Sequence, residues 1–163
     1  MYNYYIGVIG GSVTDEKHCS IAYEVGKYLA LRNCAVFCGG GGGIMDCVSH
    51  GVHDAGGMII GILPDKCRKN GNEYLSLAIP TGIGYLRNFL IVRASDALIA
   101  INGFSGTTSE AAFALTEGKS VISIGKLQIK LKKNDGKLMF ENDPERAVEM
   151  AIEEAKKFFD SIN

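Results

Sequence analysis

Neither charge sign is in excess. The chain has 17 Lys and Arg against 18 Asp and Glu, a formal charge of −1 at pH 7. Without a broad basic surface, the counterion release that drives nucleic-acid binding has no source, so no nucleic-acid partner is expected. Long apolar runs are missing too. No stretch of 18 apolar residues is free of charges and glycine clusters, and the opening Met1-Tyr-Asn-Tyr-Tyr-Ile-Gly-Val-Ile-Gly-Gly11 has neither a basic leader nor a small-residue cleavage pattern. No membrane partner is expected, and the expected location is cytoplasmic. The five cysteines, Cys19, Cys34, Cys38, Cys47 and Cys67, are odd in number and contain no CxxC pair. Reduced thiols acting as small apolar side chains are therefore expected, in place of a disulfide framework or a structural zinc site.

Two familiar nucleotide motifs are also lacking. Gly7, Gly10 and Gly11 miss the GxGxxG spacing, and no acidic residue ends the second apolar run to hold a ribose. Gly118-Lys119-Ser120 matches only the tail of a P-loop. Phe113 stands where the motif needs its first glycine, and the triplet leads into a strand where a P-loop leads into a helix. Helix-stop chemistry is the reading for that triplet.

What is present is a repeated unit. Apolar, β-branched runs end close to glycine at Tyr5-Ile-Gly-Val-Ile9, Ala35-Val-Phe37, Met58-Ile-Ile60, Ala97-Leu-Ile-Ala-Ile101 and Ser120-Val-Ile-Ser-Ile124. They predict five buried parallel strands. Between and after them lie helical patterns over about 16–32, 43–55, 84–94, 107–117 and 143–160, the last opened by the cap and proline Asp143-Pro144. Pro64 to Asn72 and Lys126 to Gly136 read as exposed polar loops. Strand–helix alternation requires a mainly parallel sheet covered on both faces, so the fold class is α/β, a Rossmann-like three-layer αβα sandwich. At 163 residues, 47% of them hydrophobic, the chain is expected to be one nucleotide-binding domain. Ligands of such sheets bind beyond the carboxyl ends of the strands.

Glycines concentrate at those ends. Gly39, Gly40, Gly41, Gly42 and Gly43 follow a strand and precede a helix. Missing side chains let backbone N–H groups converge beside a helix N-terminus, which favours an anionic group; a tight turn is the alternative. A second loop, Asn102 to Glu110, offers Gly106, Thr107 and Thr108 at a helix start as a phosphate cradle, with simple capping as the alternative. Gly11 and Ser12 form a weaker third instance, and Asn102, Gly103 and Arg93 are weaker ligand-binding candidates. Glu110 suits catalysis more than phosphate affinity, because a carboxylate stabilises an oxocarbenium-like centre or orients water at a sugar carbon. A first-turn Glu that answers the helix dipole is the competing account. Arg87 begins a helix and reaches a phosphate or a base. His50 and His53 have metal-compatible spacing but no nearby third ligand, so no metal is expected.

Read together, these stretches resemble the LOG family, the cytokinin-activating nucleotide phosphoribohydrolases once labelled possible lysine decarboxylases. Its signature PGGxGTxxE is matched by Asn102-Gly-Phe-Ser-Gly-Thr-Thr-Ser-Glu110, its arginine helix by Gly84-Tyr-Leu-Arg-Asn88, and its earlier glycine stretch by Gly39-Gly-Gly-Gly-Gly-Ile-Met45. The resemblance implies a catalytic pair on Arg87 and Glu110 and hydrolysis of the N-glycosidic bond of a nucleoside 5′-monophosphate. It also implies a homodimer without metal or organic cofactor. Asn102 replaces the signature proline, Phe104 its second glycine, and Asn88 a lysine after the arginine. These departures resemble a shorter branch that includes molybdenum-cofactor carrier proteins, in which the scaffold holds a phosphate-bearing pterin. A small phosphorylated, nucleotide-like ligand is the partner expected on either account, hydrolase or carrier.

Overall fold

The apolar runs lie side by side as strands buried on both faces. In the computed structural model, which describes residues 1–162, every residue of β5 (Ala97–Ile101) and β6 (Val121–Ile124) is buried. β1 (Tyr5–Gly10) turns Ile6 and Val8 toward one helix layer and Ile9 toward the other, as the two-residue period of a strand dictates. With β2 (Ala35–Cys38) and β3 (Met58–Leu63), these are the five expected strands.

The sheet has seven strands, two more than expected. β4 (Leu77–Pro80) and β7 (Leu138–Phe140) close its two edges, in the order β4-β3-β2-β1-β5-β6-β7, and all six pairings are parallel. Both added strands are short and contain no buried residue, and β4 ends in a proline, which an edge tolerates because its outer N–H needs no partner. Their apolar stretches, Leu77-Ala-Ile-Pro80 and Leu138-Met-Phe140, are only four and three residues long and hold one β-branched residue between them, which is why pattern alone passed over them.

Helices cover both faces. α1 (Glu16–Leu31), α2 (Ile44–Asp54) and α5 (Pro144–Ile162) pack over Ile6, Val8, Val36, Ile59, Ile99 and Ile122. α3 (Arg87–Ala94) and α4 (Ser105–Thr116) pack over Ile9, Ile60, Ile62, Leu98 and Val121. Side-chain caps start two of them: Asp143, as expected, accepts from the Arg146 N–H at 2.8 Å, and Asp15 accepts from the His18 N–H at 2.8 Å.

α1 and α2 cross closely because both carry glycine at the contact. A Cβ on Gly26 would stand 2.3 Å from the Val48 carbonyl oxygen, and one on Gly51 would stand 2.0 Å from that of Tyr23. That approach brings Cys19 and Cys47 to a Cα separation of 5.3 Å, and they form a disulfide. This corrects the expectation of five reduced thiols and removes the argument from them to a reducing compartment. The partners lie on separate helices 28 residues apart, so no local spacing announces the bond. A cross-link closing a loop of that length restricts the unfolded chain by about 3–4 kcal/mol. Cys34, Cys38 and Cys67 stay free. No helix among the described residues is long and apolar enough to cross a membrane.

From β1 the chain steps outward through β2 and β3 to β4, then returns to the other side of β1 for β5, β6 and β7. β1 and β5 are therefore neighbours whose following loops diverge, the switch point at which such sheets open a crevice.

Candidate functional site

A cleft of about 190 Å³ lies at that switch point, lined by Gly10, Gly11, Ser12, Gly39, Met45, Tyr85, Arg87, Asn88, Phe104, Gly106, Thr107 and Glu110, with Val8 and Ile9 beneath. Four segments meet there: the ends of β1, β2 and β5, and the start of α3.

α4 supplies a wall with free backbone donors. The first N–H groups of a helix have no intrahelical acceptor, and the N-cap residue here, Phe104, provides no side-chain cap. Gly106 and Thr107 therefore offer backbone N–H groups and one hydroxyl at the positive end of the helix dipole. Thr108 turns away, its hydroxyl donating to the Phe104 carbonyl at 3.2 Å.

Arg87 ties the opposite wall together. Its Nη1 donates to the carbonyl oxygens of Gly39 and Ile62, at the ends of β2 and β3. Its Nε, like the Oδ1 of Asn88, is buried without a hydrogen-bond partner among the described residues. Buried polar atoms without partners are costly, and inside a cleft they mark places where a ligand completes the bonding. Burial lowers the affinity of the guanidinium for its proton, and the charge of Glu110 counters that effect.

Glu110, on the second turn of α4, is only 7% exposed. Burial among Ile9 and the helix raises its carboxyl from the ordinary 4.5 to about 7, with the nearby charge of Arg87 opposing the rise. Near neutral pH this carboxyl therefore holds both protonation states.

Arg87, Glu110, Gly39, Gly106, Thr107, Gly11 and Ser12 thus share one cleft, whereas the other expected site residues lie outside its lining. Gly40 and Gly43 serve packing: both have positive φ, at 72° and 64°, and a Cβ on Gly43 would stand 2.4 Å from the Gly11 carbonyl oxygen. The absent side chain of Gly43 lets the glycine loop nest against the loop after β1, and that of Gly40 lets it pass close to Gly61 and Leu63 of β3. Gly41 and Gly42 continue that turn. Asn102, at φ 34°, turns the chain after β5, and Gly103 sits directly over the Thr107 side chain. Arg93 faces away and pairs with Glu117. His50 stacks on Tyr74 with ring centres 4.3 Å apart and pairs with Asp54, while His53 meets the same Tyr74 edge-on. Lys119 binds no phosphate: its buried ammonium donates to the carbonyls of Val92, Arg93 and Ser95 and closes the C-terminal end of α3.

Met45 and Tyr85 join the site without having been singled out, and Asn88, noted only as standing where the family has lysine, joins it too. The sequence signal for the last two was their position on either side of Arg87.

Comparison with known proteins gives the family and the fold. The model of the SLOG cluster4 family matches residues 3–148. An uncharacterized protein of Archaeoglobus fulgidus is 40% identical over 93% of this chain and 97% of its own length. A cytokinin riboside 5′-monophosphate phosphoribohydrolase of Arabidopsis thaliana is 36% identical over 55% of this chain, and the chain covers 43% of that protein. Among solved structures, the molybdenum cofactor binding protein of Rippkaea orientalis is 31% identical with a TM-score of 0.83, covering 92% of this chain and 96% of that one.

The raised Glu110 carboxyl carries a stability cost with a defined sign. The unfolded chain releases this proton near 4.5 and the folded chain near 7, so folding is favoured most below 4.5 and weakens as pH rises across that window. The displacement is worth about 3 kcal/mol. Glu110→Gln, which mimics the protonated form, is expected to melt at a higher temperature than wild type at pH 8 and at a similar temperature at pH 4. Equal melting temperatures at pH 8, read by calorimetry, would contradict an ionised, buried Glu110.

Proposed function

The chain belongs to the SLOG cluster4 family, and from that premise we propose that it hydrolyses the N-glycosidic bond of a nucleoside 5′-monophosphate. The observation that carries this reading is a carboxyl with a pKa of about 7 in the same cleft as a buried arginine and an uncapped helix N-terminus. The 5′-phosphate rests on the first turn of α4, at Gly106 and Thr107. Arg87 uses its unpartnered Nε toward the ligand while its Nη1 keeps the Gly39 and Ile62 carbonyls in place.

With the phosphate fixed there, the sugar lies beside Glu110. The C1′–N bond breaks, its electron pair leaves with the base, and positive charge develops on the sugar ring. Ionised Glu110 stabilises that charge and takes a proton from the water that adds to C1′. The departing base takes a proton from solvent, and the products are free base and ribose 5-phosphate. No step requires a metal or organic cofactor.

A second reading, carriage of a phosphorylated pterin without turnover, is favoured by one feature. Phe104 stands at the mouth of the cleft where the phosphoribohydrolase signature has glycine. The similarity to the Rippkaea orientalis protein, which spans nearly the whole of both chains, supports it as well.

We also propose a homodimer built on α3 and α4. Phe89, Leu90 and Phe113 are exposed there, with the Phe89 and Phe113 rings edge to face. Light scattering is expected to give twice the chain mass, and a monomeric mass would remove this part of the proposal.

Incubation with a panel of nucleoside 5′-monophosphates, including AMP and an N6-substituted AMP, is expected to release free base and ribose 5-phosphate, detected by chromatography. The rate is expected to rise as pH passes through about 7, because the ionised carboxylate is the working form. Glu110→Gln is expected to lower it by roughly 10²- to 10⁴-fold. Tight binding with no product from any member would favour the carrier reading.

A further inference from the structure

The cleft is too small for the whole ligand. About 190 Å³ falls below the roughly 300 Å³ at which sites that engulf a complete small molecule begin. A sugar phosphate suits the enclosed part, with its phosphate on α4 and its sugar beside Glu110. A heterocycle attached to that sugar has to lie at the mouth.

Two aromatic rings stand at that mouth, one from each side. Tyr85 belongs to the short turn Gly84–Leu86 that precedes α3 and is 90% exposed; Phe104 is the N-cap residue of α4 and is 79% exposed. Both line the cleft. Among the described residues neither ring packs on another ring or beneath a cation, whereas Tyr74, Phe89 and Phe113 all have ring partners. Gly84, at φ 60° with open space around it, carries Tyr85 on a turn where neighbouring atoms do not confine it. Neither ring contributes to the core, so the fold gives no account of two large apolar groups held in water at one entrance. A flat ligand seated there would bury both.

We propose that Tyr85 and Phe104 stack on the planar heterocycle of the ligand and are the residues that make the site select a heterocycle over a bare sugar phosphate. The inference rests on the nucleotide reading of the cleft and adds the source of its specificity. Stacking reads a π-face and leaves the ring edges in solvent at the open mouth, so the site accepts a class of ligand: phosphorylated sugars bearing a flat aromatic heterocycle, with tolerance for substituents on its edge. Base–aromatic stacking lost by truncation to alanine weakens binding by roughly 5- to 150-fold.

The chain contains no tryptophan, so Phe104→Trp introduces a single indole fluorophore at the mouth. Both positions are exposed, and their substitution leaves the core intact. The test is made on Glu110→Gln protein to prevent turnover, with AMP and ribose 5-phosphate as the two probes. AMP is expected to quench the fluorescence of the introduced indole and ribose 5-phosphate to leave it unchanged. By calorimetry, Phe104→Ala and Tyr85→Ala are each expected to weaken AMP by roughly 5- to 150-fold and to leave ribose 5-phosphate binding as it was. Ribose 5-phosphate and AMP binding equally well, or AMP affinity unchanged or improved in both alanine variants, would overturn the stacking role while leaving the phosphate site standing. If neither probe binds, the nucleotide reading of the cleft fails, and the stacking role falls with it.

Discussion

The guanidinium of Arg87 donates to the carbonyl oxygens of Gly39 and Ile62, joining the start of α3 to the ends of β2 and β3. A buried cation needs such partners, and these two hold the glycine loop in the position it takes beside the cleft. They also leave the rest of the guanidinium for a ligand and set a positive charge near Glu110. That charge restrains a carboxyl which burial would otherwise push further toward its neutral form. The shape of the pocket and the protonation of its acid therefore depend on the same side chain. The far end of its helix is held separately, by Lys119 on the last carbonyls of α3.

The switch point explains why these groups meet. Parallel strands deliver their following loops to one edge of the sheet, and the reversal of order between β1 and β5 separates two of those loops enough to admit a ligand. The Gly10–Ser12 segment and the Phe104–Thr107 turn both line the cleft that opens there. The glycine loop after β2 packs against the loop after β1 because Gly43 fits against Gly11 where any side chain would collide. The close crossing of α1 and α2 at Gly26 and Gly51, reinforced by the Cys19–Cys47 bond, fixes the helix into which that loop runs.

Much of this was legible in the residues. Five strands announced themselves as β-branched runs because a parallel strand is apolar on both faces. The edge strands β4 and β7 did not, because an apolar stretch of three or four residues with a single β-branched side chain, Ile79, does not stand out from a loop. Glu110, Arg87, Gly106 and Thr107 were legible because their chemistry requires particular residue types next to a helix start. The five glycines were legible as a feature and misleading in number: Gly39 lines the cleft, while Gly40 and Gly43 answer to packing. Tyr85 stayed hidden because a turn of three residues decides where it points. The disulfide was hidden because its two cysteines meet only through a helix crossing.

In the proposed function the first turn of α4 holds the phosphate and the cleft is built around a phosphorylated ligand. Calorimetric titration of Glu110→Gln protein with AMP and with adenosine tests it most directly, since the two differ only in the phosphate. Measurable binding of AMP with adenosine at least about 100-fold weaker is the expected result, in keeping with several charge-assisted hydrogen bonds of roughly 1.5–3 kcal/mol each. Equal affinity for the two would contradict the account, because the uncapped helix end and Arg87 would then contribute nothing to recognition.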